Sequence, residues 1–337
     1  MKLFLVLSAF LLYTRSVHSC SLQERNIQPD STSFGKVLSN PSLSFDWDAI
    51  KYVYAFGDSY TFVQGTHGLA NFSFIGDLQN ISFTKDELLN DEIIFRNTSS
   101  DGANWIEFLT GCFSGKPIDC SPRQLWDFAF AGADIDGNLL PLHHPFTVPL
   151  VDQMKQWATY AASFLPRPKK DSLTVWWIGI NDTGDSTGNE TVHFDAFYAK
   201  EMDSLFEAVE LAQSKGLTGT HLFLTVPPEE RSPSGLYSSH AEEQKSNIIT
   251  YNTQLHTRAS QFAQRHQDEE TVVLLFDAHE WFNFVLDNAE MFGFGDITGF
   301  CECSDSDFFW FNTGHPTEHT HHLLASAIDH FLSSIST

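Results

Sequence analysis

Gly57-Asp58-Ser59 directly follows the apolar run Tyr52-Val53-Tyr54-Ala55-Phe56. That order places a serine hydroxyl where a strand gives way to a turn. A serine so placed is a candidate nucleophile: a tight turn exposes the hydroxyl, and the N-terminus of a following helix can stabilise an oxyanion. A strand exit capped by Asp or Ser reads the same way on its own, so the weight rests on three further pieces that follow in order. Ala131-Gly132-Ala133 follows a second strand-like run, Gly179-Ile180-Asn181-Asp182 a third, and His315-Pro316 lies near the C-terminus. Together these are the parts acyl transfer needs. A serine hydroxyl is a weak nucleophile until a base reaches it, and His315 is the candidate base. The backbone N–H groups of Ser59 and Gly132, with the side-chain amide of Asn181, would form the oxyanion hole. A glycine at 132 lets the backbone approach the substrate with no Cβ in the way.

The ordered set Ser59, Gly132, Asn181 and His315 resembles the GDSL, or SGNH, hydrolases, a family of serine esterases and lipases. The resemblance runs from about Tyr52 to His330. The flanking text Gly111-Cys112-Phe113-Ser114-Gly115 and Leu125 to Asp134 is similar to the fungal branch called carbohydrate esterase family 16, whose members are secreted acetyl esterases acting on acetylated sugars. The resemblance implies that Asp58 organises the turn. It also implies an aspartate three residues before the histidine, and this chain has Asn312 there. Three outcomes are open. Asn312 orients His315 through a neutral carbonyl, Asp305 or Asp307 supplies a carboxylate from upstream, or the chain is a catalytically weakened carbohydrate-binding relative. A lipase or phospholipase acting on longer acyl chains is the rival within the family.

The elements that must hold these residues are legible as alternation. Tyr52 to Phe56, Leu125 to Ala131, Thr174 to Ile180, His221 to Val226 and Thr271 to Phe276 read as five strands. Between and after them, helical spacing runs through residues 151–164, 197–212 and 241–266, with a last helix over Pro316 to Leu332 and Pro316 in its first turn. Alternating β and α elements predict an α/β fold, a three-layer αβα sandwich on a central five-stranded parallel sheet. Sites in such sheets lie at the strand C-termini, where Ser59, Gly132 and Asn181 fall. The resemblance implies the same flavodoxin-like SGNH architecture.

Residues 1–19 read as a signal peptide, with Lys2, the apolar run Leu3 to Tyr13 and the small-residue site Val17-His18-Ser19. Residues 20–50 form a lead-in anchored by Trp47, and 51–337 a single hydrolase domain. The irregular stretch 66–100 reads as a surface lobe beside the cleft. Five cysteines fit an oxidising compartment. Cys112 and Cys120 close a short loop, whereas Cys301 and Cys303 pair with each other or one of them reaches Cys20. Asn71-Phe72-Ser73, Asn80-Ile81-Ser82, Asn97-Thr98-Ser99 and Asn189-Glu190-Thr191 are glycosylation sequons. Asn181-Asp182-Thr183 is a fifth, here assigned to the active site and expected to be unmodified.

A net charge of −24 argues against nucleic acid and anionic membranes as partners. The expected partner is a small acetylated saccharide, with no obligate protein partner, no cofactor and an extracellular location. His315-Pro316-Thr317-Glu318-His319 also matches the zinc-peptidase pattern H-x-x-E-H. That pattern needs a further acidic ligand downstream, so His319, His321 and His322 are read instead as the solvent face of an amphipathic helix and no metal is expected. His143 and His144 are read as loop residues able to line the cleft. Trp176, Trp177, Trp281 and Trp310 are candidates to stack on a sugar ring.

Overall fold

The computed structural model describes residues 34–190 and 192–337; the signal-peptide reading, Cys20 and Thr191 lie outside the described residues. The five apolar runs form parallel strands, Tyr52–Gly57, Gln124–Asp127, Ser172–Trp177, Thr220–Leu224 and Val272–Phe276. Almost every residue of these strands is buried, as expected of parallel strands covered on both faces.

Among the described residues the sheet has six strands, not five. The additional strand, Gly35–Val37, comes from the lead-in and runs antiparallel along the edge of Val272–Phe276, with Gly35 opposite Phe276 and Val37 opposite Leu274. It has three residues, none of them fully buried, so no period of two marks it in the sequence. The order across the sheet is Gly35–Val37, Val272–Phe276, Thr220–Leu224, Ser172–Trp177, Tyr52–Gly57, Gln124–Asp127. The observed strands start and stop earlier than expected at two places. The second ends at Asp127, and the third at Trp177, because Ile180 already begins a helix.

Alternate strand residues point to opposite faces, and aromatic pairs show which helices cover each. Phe56 and Trp176 stand opposite in register and stack at 4.9 Å. Phe56 meets Trp157 of the helix Leu150–Tyr160, and Phe223 meets Phe206 of the helix Phe194–Ser214. On the other face Trp177 meets Trp105 of the helix Trp105–Thr110, and Phe276 meets Phe331 of the helix Glu318–Ser334. This is the expected three-layer arrangement. The last helix starts later than expected: Thr317 caps it, its hydroxyl accepting from the Thr320 N–H, and Pro316 lies before the cap.

Trp47 does anchor the lead-in. Its indole N–H donates to Asp329 at 2.7 Å, and the Arg123 guanidinium lies 3.5 Å from its ring. The stretch 66–100 is less irregular than expected. It carries the strands His67–Gly68 and Ile75–Gly76 and a helix, Lys85–Asn90, closed by a capping box between Thr84 and Glu87. Phe74, Ile75, Leu88 and Ile93 send it into the core. Disulfides join Cys112 to Cys120 and Cys301 to Cys303. All eight tryptophans are buried, so Trp176, Trp177, Trp281 and Trp310 cannot stack on a sugar. The indole N–H groups of Trp176, Trp177 and Trp310 go inward instead, to His221, the Thr225 carbonyl and the Ile297 carbonyl.

Candidate active site

Gly57 ends its strand clamped by one side chain. The buried Gln153 amide accepts from the Gly57 N–H at 3.0 Å and donates to its carbonyl at 2.8 Å. The chain then turns. The Asp58 carboxyl accepts from Tyr60 N–H, and the Asp58 carbonyl accepts from the Thr61 and Phe62 N–H groups. A turn, not the anticipated helix N-terminus, therefore follows Ser59. Ser59 itself is only 9% exposed, less than a serine on a turn tip. Its hydroxyl lies 2.8 Å from His315 Nε2.

Asn312 sits on the far side of the imidazole, its Oδ1 3.0 Å from His315 Nδ1. The same oxygen accepts from the Gly314 and His315 N–H groups. Two backbone donors at one atom fix which end of the amide faces them, so that atom is the carbonyl oxygen. Nδ1 must then carry the ring proton, and Nε2 is left bare to accept from the Ser59 hydroxyl. Asn312 fills the position that Asp305 and Asp307 were also candidates for; the Asp305 carboxylate instead accepts from the Asp307 N–H. Burial pulls His315 down from 6.5 to about 4, with no carboxylate raising it.

Gly132 lies in the left-handed region at φ 80° and lines the same pocket. Among the described residues, no internal acceptor meets the N–H of Ser59 or of Gly132. Two donors left without a partner beside the Ser59 hydroxyl are what an oxyanion requires. Asn181 lies in the first turn of the helix Ile180–Ser186, after Gly179 at φ 113°. One amide hydrogen of Asn181 goes to the Ala133 carbonyl at 2.8 Å, leaving the second for a ligand. A Cβ on Gly179 would stand 2.2 Å from the Tyr251 ring. Gly179→Ala is therefore expected to lower unfolding free energy by about 2–5 kcal/mol in urea titration, strain and overlap adding.

Ser59, Gly132, Asn181 and His315 line one pocket of about 340 Å³, together with Tyr60, Phe72, Ser99, His143, Asp185, Glu229 and Gln244. His143 does reach the cleft. Its Nε2 lies 2.6 Å from Asp185, and its ring flanks Gly132. The sequence pattern pointed to neither Asp185, one helical turn after Asn181, nor Glu229. A 3.6-residue count from Asn181 would have found Asp185. Beneath this wall lie Asp58, Asp134, Asp182 and Glu201, all fully buried. Burial raises each, to about 8, 9, 6 and 11 in that order, and repulsion from neighbouring carboxylates, Asp185 among them, adds to it. The folded state thus binds protons that the unfolded chain has already lost near neutrality. Stability is accordingly expected to fall as pH rises from 5 to 9, read as a falling Tm.

The H-x-x-E-H residues are not brought together. Glu318 pairs with Arg96 at 2.7 Å, His319 bonds to the Phe292 carbonyl, and His322 packs on Phe108. Glu318, His319 and His322 border a separate cleft of about 670 Å³ that Ser59 and His315 do not line. His321 is not on a solvent face; it is 2% exposed, behind Tyr60. It shares its helix face with Leu324, Ala325 and Ile328, a spacing that marks it as a core position.

Residues 53–328 match the family described as GDSL-like Lipase/Acylhydrolase. The chain belongs to this family. It is a carboxylic ester hydrolase. A curated protein of Thermothelomyces thermophilus named Acetylesterase is 27% identical over 287 residues, covering 82% of this chain and 87% of that protein. Among solved structures, an acetyl xylan esterase, AlAXEase, aligns at TM-score 0.43 and 13% identity, over 82% of this GDSL hydrolase and 97% of its own chain. Est24, a carbohydrate acetylesterase from Sinorhizobium meliloti, aligns at TM-score 0.44 and 15% identity, over 85% and 99%.

Proposed function

We propose that this chain is a secreted serine esterase that removes acetyl groups from acetylated mono- or oligosaccharides through an acyl-enzyme on Ser59. The observation that carries this reading is the unbroken line from the Asn312 carbonyl through the His315 ring to the Ser59 hydroxyl, at 3.0 and 2.8 Å. Ser59 Oγ attacks the acetyl carbonyl carbon while His315 Nε2 takes its proton. The resulting oxyanion is held by the Ser59 and Gly132 N–H groups and the free Asn181 amide hydrogen. Collapse of the intermediate expels the sugar hydroxyl, protonated by His315. Water, deprotonated by the same imidazole, then releases acetate.

The preference for a small acyl group and a polar alcohol rests on the pocket. Its volume of about 340 Å³ and the polar groups of His143, Asp185 and Gln244 along its wall suit a sugar better than a long chain. The curated relative named Acetylesterase supports the acetyl assignment. Export to the cell exterior rests on the signal-like residues 1–19 and the sequons.

The test is hydrolysis of acetyl, butyryl and octanoyl p-nitrophenyl esters and of acetylated xylo-oligosaccharides, with and without a serine-directed organophosphate. Fastest turnover of acetyl substrates, abolished by the reagent, is expected. A preference for octanoyl esters would move the assignment to a lipase, and sugar binding without turnover would make the chain a binding relative.

Asn312 offers His315 a dipole where a carboxylate would offer a charge. Asn312→Asp should therefore raise the histidine's pKa and carry the acid limb of kcat/KM upward from near 4 by about 1–3 pH units, because the base must be neutral to act. Activity at pH 7 should stay level or rise. A limb that does not move would show that Asn312 is not the group facing Nδ1 during turnover.

A further inference from the structure

The loop that presents His315 is held from its other side by a hydroxyl bonded twice. Tyr60 Oη lies 2.6 Å from the Gly314 carbonyl and 2.7 Å from Glu229 Oε1. A phenol has one hydrogen, and a peptide carbonyl can only accept. If Tyr60 gives its hydrogen to Gly314, the remaining contact needs a donor on Glu229. We infer that Glu229 is a protonated carboxylic acid which donates to Tyr60, so that Tyr60 donates to Gly314 and the pair positions His315 for the Ser59 hydroxyl. The inference rests on the reading of Ser59 and His315 given above.

The placement supports this assignment. Tyr60 is the residue after Ser59, and its ring centroid is 5.5 Å from that of His315. Gly314 is thereby fixed at both ends, its N–H by Asn312 and its carbonyl by Tyr60. Glu229 sits in a short 3-10 turn, Glu229–Arg231, reached 169 residues after Tyr60, and lines the same pocket. The ionisable groups acting on Glu229 are Tyr60, Asp58 and Glu230, and burial and the two carboxyls push it up to about 8. The basic side chains nearby, His279, Lys245 and Arg231, act on Glu230. His315 and His321 face Tyr60, and burial lowers both.

The consequence is a base-side limit on activity. Once Glu229 ionises, the Tyr60 hydrogen turns to the carboxylate and the Gly314 carbonyl loses its donor. Glu229→Gln keeps a donor at that position and removes the ionisation. Two measurements test the proposal. Infrared difference spectra of the parent against Glu229→Gln at pH 6 should show a protonated-carboxyl C=O band present only in the parent. The absence of that band overturns the proposal whether or not Ser59 and His315 catalyse. In kcat/KM profiles, the parent should decline above a limb near pH 8 to a plateau about tenfold lower, while Glu229→Gln stays within about threefold of its neutral value to pH 9.5. Asp58 titrates in the same range, so the comparison is made between these two proteins rather than against a fixed pH. Tyr60→Phe should lower kcat about tenfold with KM within twofold. A Glu229→Gln profile that superimposes on the parent's overturns the positioning role, and loss of all hydrolysis in Ser59→Ala checks the underlying site separately.

Discussion

Ser59→Ala should lower kcat for acetyl esters by about 10⁴–10⁶, the loss seen when the nucleophile of a serine hydrolase is removed. The oxyanion donors and the pocket stay in place, so substrate is still bound, but no acyl-enzyme forms. The hydroxyl's one side-chain partner is His315, so truncation strands no other buried group. Tm should therefore remain within about 2 °C of the parent, since a mutation of well under 1 kcal/mol moves a domain of this size little. Steady-state kinetics alongside thermal melting decide the matter. Residual kcat within tenfold of the parent would place the nucleophile elsewhere.

Asn181→Ala has the next largest expected effect, a fall of about 10²–10³ in kcat with KM nearly unchanged. In the proposed mechanism the free amide hydrogen of Asn181 meets charge that exists only in the intermediate, which places the expected loss in kcat. One complication is built into the site: the other hydrogen of that amide ties the helix Ile180–Ser186 to the Ala133 carbonyl at 2.8 Å. The Asp182 carboxyl makes a parallel tie to the Ile135 N–H at 2.9 Å. That second tie should hold Gly132 near its place when Asn181 is truncated. A rise in KM with kcat preserved would make Asn181 a substrate-binding residue instead.

Much of this site could be read from the chain because each piece lies at the end of an apolar run. Ser59, Gly132 and Asn181 are marked by where strand periodicity stops, and a parallel sheet gathers such ends at one edge. Glu229 escaped detection because it has no local signal. Glu229 joins Tyr60 across 169 residues, and nothing in the spacing of either announces the other. The tryptophans fail for a different reason. Their number shows that large apolar surface must go somewhere, but only the packing shows that all eight go inward. His321 was misplaced by composition: a run of histidines near a C-terminus reads as polar, yet its helical face is shared with Leu324 and Ile328. Asn312 is the opposite case. Its position three residues before His315 made it a candidate, and its side chain meets Nδ1 in the structure.

The short edge strand Gly35–Val37 governs the order in which the molecule can be built. Its partner residues, 274 to 276, come about 240 positions later, and closing so long a loop carries an entropic cost before any ladder bond is formed. A chain emerging from the ribosome N-terminus first therefore has nowhere to place this strand until most of the domain has been made. Further along, Trp47 waits for Asp329, and the Thr337 N–H donates to the Phe45 carbonyl. The first described segment is thus among the last to be locked, and vectorial synthesis leaves that edge of the sheet open until residues 274 to 276 have been made.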